Sequence, residues 1–163
     1  MDAKLYHCLK YKVNQVLPAI FADNMTKVVM EGYKVPWKMN FTTKDCFERF
    51  RTFYGSDILF DIEVVICPFY ESTEQDPGLW HRNEYNFSKL LYGFKNEFGT
   101  DMAEKDEESL IFHCSILLYF SAMYFKEGLT NAPTMAFLEV YSLACLYLQQ
   151  KSFTPELGSA LCY

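Results

Sequence analysis

Apolar residues recur along the chain at two periods, and the switches between those periods divide it into elements. Leu5, Leu9, Val13, Val16 and Leu17 stand at helical spacing. Pro18 ends that segment and suits the first position of a second helix, which carries Ile20, Phe21, Met25, Val28 and Val29 inward and stops at Gly32. From Tyr33 the period becomes two: Tyr33, Val35, Trp37, Met39 and Phe41 fall on one face, Lys34, Lys38 and Asn40 on the other. This predicts a strand, and Pro36, which has no N–H to donate, assigns it to a sheet edge.

Thr42 followed by Asp45 resembles a capping box, opening a helix with Cys46, Phe47, Phe50 and Tyr54 as its buried stripe and Gly55 as its end. Asp57 to Cys67 alternates again and is rich in β-branched residues: Ile58, Phe60, Ile62, Val64 and Ile66 oppose Asp61 and Glu63. This predicts a second strand, closed by Pro68. If the two strands pair through the helix between them, the unit is a right-handed crossover.

Phe69 to Arg82 reads as a loop, marked by Asp76-Pro77-Gly78. Phe87, Leu90, Leu91, Phe94 and Phe98 then form an amphipathic helix stopping at Gly99. The acidic stretch containing Asp101, Glu104, Asp106, Glu107 and Glu108 leads into the next helix, whose N-terminus favours negative charge. Leu110 to Phe125 contains no Asp, Glu, Lys or Arg, and Met135 to Leu148 contains Glu139 alone. Each run is shorter than the roughly 20 apolar residues that cross a bilayer, so no membrane span is expected. The pair reads as an αα-hairpin apolar on all sides. The expected fold is therefore mainly α (α+β): a helical bundle around that hairpin, with two short strands forming a small sheet, in a single compact domain over residues 1–163.

Composition supports a folded core, since half of the residues are apolar and 18% are aromatic. The six cysteines, Cys8, Cys46, Cys67, Cys114, Cys145 and Cys162, show neither a C-x-x-C pair nor a clustered framework. Met1 to His7 has no secretory pattern. Reduced thiols and a cytoplasmic or nuclear location are expected, although Asn24-Met25-Thr26, Asn40-Phe41-Thr42 and Asn86-Phe87-Ser88 match glycosylation acceptors. Residues 1–55 hold nine Lys or Arg against five Asp or Glu, while the remainder holds six against sixteen. A basic third therefore faces an acidic two-thirds.

Catalytic signatures are missing: there is no phosphate-binding loop, dinucleotide fingerprint or H-E-x-x-H. His7, His81 and His113 carry no motif, and His113 and Cys114 point about 100° apart on one helix. Neither a cofactor nor a metal is expected. The expectation is a non-enzymatic protein-interaction module, such as an adaptor, an inhibitor or an assembly subunit. The Phe- and Tyr-rich, Gly-poor composition is of the kind a fast-evolving or viral accessory factor shows. Its partner site is placed on the aromatic loop at Tyr70, Leu79, Trp80, His81 and Arg82, because Trp, Tyr and Arg dominate interface hot spots. The alternative is a nucleic-acid-associated accessory protein using the basic patch Lys34, Lys38, Lys44, Arg49 and Arg51.

Overall fold

The computed structural model describes residues 3–68, 83–100 and 104–161, with side chains in the first helix from residue 16 onward. Among the described residues there is no strand, so the expected two-stranded sheet is replaced by helix and ordered loop.

Helix α1 runs unbroken over Ala3–Gly32 with Pro18 inside it. Pro18 removes one backbone hydrogen bond. The helix continues because the following turns bury Phe21, Ala22, Met25, Val28 and Val29 completely or nearly so against the hairpin helices. Its C-terminus is a Schellman motif: Val35 N–H donates to the Met30 carbonyl at 2.8 Å and Lys34 N–H to Glu31 at 3.3 Å. The left-handed position is filled by Lys34, with φ 57°. Gly32 has a different task, because a Cβ there would lie 2.8 Å from Leu59 Cδ2.

The first expected strand, over residues 33–41, is an extended loop. Its backbone N–H groups turn to a carboxylate on α1 instead of to a neighbouring strand: Phe41 and Thr42 donate to Asp23 Oδ2 at 2.7 and 3.0 Å. Trp37 Nε1 donates to Asp23 Oδ1 at 2.8 Å, and its ring packs on Phe137.

Helix α2 spans residues 44–66. Thr43 is its N-cap, accepting from Cys46 N–H at 3.1 Å, one residue later than the capping box proposed. The α-helical stretches Lys44–Phe50 and Ser56–Asp61 alternate with π-helical turns Arg51–Gly55 and Ile62–Ile66. Every junction residue is right-handed helical, so Gly55 lies inside the rod and the expected second strand is its C-terminal half. Cys46, Phe50, Ile58, Ile62 and Ile66 are buried and Tyr54 is half-buried, a stripe at a strict spacing of four. In an α-helix such a stripe drifts about 40° per step, or roughly 200° over its five steps. The π turns close their hydrogen bonds one residue later and hold more residues per turn, which offsets the drift. Phe60 and Val64, which the alternation placed on the apolar face of a strand, are exposed, as is Val65.

Helix α3, Glu84–Thr100, buries Phe87, Leu91 and Phe98. Helices α4, Glu107–Lys126, and α5, Ala132–Gln150, form the expected hairpin, turning at Gly128 with φ 109°. Asp106 caps α4, accepting from Ser109 N–H at 2.8 Å. Leu117 and Leu143 are fully buried at the centre of one connected apolar cluster. By length and composition α4 could cross a membrane, and 56% of its most apolar window is buried inside this fold. A short helix α6, Pro155–Ala160, follows with Thr154 as its N-cap.

Candidate functional site

A cleft of about 930 Å³ opens between α2, the first two turns of α4, and the segment joining α5 to α6. Its apolar lining comes from Tyr54, Ile58 and Phe60 of α2, Ile111 and Phe112 of α4, and Tyr147 of α5. Around this lining stand six carboxylates: Asp57 and Asp61 on α2, Asp106, Glu107 and Glu108 at the start of α4, and Glu156 on α6.

Local structure employs two of the six. Asp106 caps α4, and the Ser109 hydrogen bonds hold its carboxyl below the usual carboxylate range. Glu107 ties α4 to α6 by accepting from Thr154 N–H at 2.8 Å and its hydroxyl at 2.9 Å. Asp57, Asp61, Glu108 and Glu156 take part in no ion pair among the described residues. One lysine and one histidine also line the cleft. Lys151 donates to the Lys105 carbonyl, and His113 donates from Nδ1 to the Ser109 carbonyl at 2.8 Å while its ring meets the Phe98 ring edge-on.

The negative field acts on the phenols inside the cleft. Burial raises the Tyr54 hydroxyl above its ordinary pKa, and Glu107 and Glu156 raise it further. The Tyr147 hydroxyl is raised by burial and then by Glu107 and Asp106.

The sequence-predicted positions are distributed differently. Tyr70, Leu79, Trp80, His81 and Arg82 lie outside the described residues. Lys34, Lys38 and Lys44 are exposed, whereas the two arginines of that patch are engaged in different directions. Arg49 donates to the Ser159 carbonyl of α6 at 3.2 Å, and Arg51 pairs with Glu31 of α1 and Glu48. Trp37 is half-buried and bonded to Asp23, so it offers no stacking face beside the lysines.

His113 and Cys114 stay apart, as their adjacency on one helix requires; Cys114 is fully buried, and burial pushes its thiol far above the ordinary range. Cys46, Cys67, Cys114 and Cys145 are all free thiols. Among the described residues no group of His, Cys, Asp or Glu converges to hold a metal ion.

The cleft escapes sequence reading because its carboxylates come from α2, α4 and α6. The one local signal is Tyr54, Asp57, Ile58 and Asp61, whose spacings of three and four become visible only when residues 57–61 are read as helix. No family model matches the chain, and neither a curated protein nor a solved structure is significantly similar to it.

Proposed function

We propose that this protein is a non-enzymatic protein-interaction module, an adaptor, inhibitor or assembly subunit acting in a reducing cytoplasmic or nuclear compartment, and that its partner binds along α2 and the adjoining cleft. The observation that carries this reading is the outward face of α2. Phe53, Phe60, Val64 and Val65 are 66%, 62%, 54% and 51% exposed along one helix. Single exposed apolar residues are ordinary, but a row of them beside an open groove marks an interaction surface. Aromatic side chains of this kind bury a large area with few rotatable bonds when a partner covers them.

The lining of the cleft supports binding over catalysis. Carboxylates, aromatic rings and isoleucines make up most of it, and the ring of His113 is turned into a hydrogen bond with its own helix.

The test is affinity capture with the purified protein and with a Phe60→Ala, Val64→Ala double variant, followed by quantitative mass spectrometry. Both positions are exposed, so the fold tolerates the change. At least one partner is expected to be captured in near-equal ratio to the wild type and at least about tenfold less by the variant, a loss of one hot spot. Equal capture of every protein by both would remove the interaction surface from α2.

A further inference from the structure

We infer that the segment seated in the cleft is a basic polypeptide stretch with an apolar anchor, such as an amphipathic helix bearing Lys or Arg on one side. This rests on the reading of α2 as an interaction surface, and it assigns the chemistry of the occupant.

The argument starts from charge complementarity. Four carboxylates at the cleft, Asp57, Asp61, Glu108 and Glu156, have no ion-pair partner among the described residues. The one amine in the lining, Lys151, is turned toward the Lys105 carbonyl. The rim therefore carries an excess of negative charge, and its influence reaches the raised hydroxyls of Tyr54 and Tyr147 on the floor.

The distribution of the charge then decides among cations. The carboxylates stand on three separate helices and do not converge as metal ligands among the described residues. A point cation needs oxygens gathered within a few ångströms. A spread of carboxylates suits a spread of positive charge, as along a peptide.

The floor supplies the remaining constraint. Exposed ion pairs contribute little affinity individually and act mainly on encounter rate and partner choice. Affinity must come from apolar contact, which Tyr54, Phe60 and Phe112 provide beside the carboxylates. The cleft volume of about 930 Å³ accommodates several side chains at once. Nucleic acid and anionic lipid surfaces carry the wrong sign for this face.

The test uses the full chain and two synthetic helical peptides of equal length and apolar content, one with Lys and the other with Glu at every charged position. Binding is read by fluorescence anisotropy. At about 50 mM salt the Lys peptide is expected to bind at least about tenfold more tightly than the Glu peptide, and at about 500 mM salt the difference shrinks several-fold. An Asp57→Lys, Asp61→Lys, Glu108→Lys variant, with unchanged circular dichroism and unfolding midpoint, is expected to lose the Lys peptide and gain the Glu peptide.

Equal binding of the two peptides, or a preference that survives the charge reversal, would overturn the inference. So would failure of the Lys peptide to bind. Should capture from lysate still depend on Phe60 and Val64 in those cases, the interaction surface on α2 stands and only the assigned occupant falls.

Discussion

The carboxylate of Asp23 is fully buried on α1 and accepts the indole N–H of Trp37 at 2.8 Å. Through the same carboxylate it also receives the backbone N–H groups of Phe41 and Thr42. A segment whose side chains alternate as in a strand is thereby held as a loop against α1 and Phe137.

Removing that carboxylate leaves three donors without their acceptor, and an unsatisfied buried group costs about 1–3 kcal/mol. Asp23→Ala is expected to lower the unfolding free energy by about 2–4 kcal/mol, measured by urea denaturation. In a Trp80→Phe background, Trp37 emission is expected to shift to the red as the ring is released. A change below about 0.5 kcal/mol would show that the loop holds without Asp23.

Leu117 of α4 and Leu143 of α5 are fully buried in the apolar core. Replacing either by Ala removes apolar contact and leaves a cavity, so each is expected to lower stability by about 2–5 kcal/mol. Calorimetry on the two single variants checks this. Losses below about 0.5 kcal/mol at both sites would contradict a buried hairpin.

Lys34 holds the left-handed residue of the α1 Schellman motif with φ 57°, a conformation that strains a residue with a Cβ. Lys34→Gly relieves the strain but enlarges the unfolded ensemble. The net expectation is a gain of about 0.5–1 kcal/mol in unfolding free energy, with no change in helix content. A loss of stability would place the stabilising role in the lysine side chain.

Glu139 is the one acidic residue of α5, and its Oε2 is buried without a hydrogen-bond partner among the described residues. Burial raises its carboxyl above the ordinary value of 4.5, and the charge of Lys95 counters part of that rise. A carboxyl raised in the folded state favours folding when protonated. That contribution is complete below the unfolded pKa and disappears as pH climbs through the folded one. Glu139→Gln is therefore expected to raise Tm near pH 7, with the gap closing as pH falls toward about 4. A gap that stays constant across this range would rule out titration of Glu139 as its origin.

The two misread strands failed for different physical reasons. In residues 57–67 every second position is apolar, which satisfies a period of two, yet Ile58, Ile62 and Ile66 also lie at a spacing of four. Pattern alone does not separate the two while Phe60 and Val64 are counted as core, and burial shows that they point to solvent. Gly32 does end α1, where Leu59 also comes close to it, whereas Gly55, which read as the end of the next helix, is buried inside α2. The cleft was illegible because its carboxylates are contributed by elements up to 99 positions apart, from Asp57 to Glu156.

What the sequence determined by itself was local. The apolar hairpin, the amphipathic stripe of α3 and the acidic start of α4 at Asp106 all depend on residues within a few turns of one another. Tertiary structure decided the state of residues 33–41 and 57–67, because backbone donors take whichever acceptor the fold brings within reach. For the loop that acceptor is Asp23, eighteen positions before Phe41. For α2 the deciding contact is the flank of α1 and α4, whose close approach selects the helical stripe over the extended one and leaves Phe60 beside an acidic cleft.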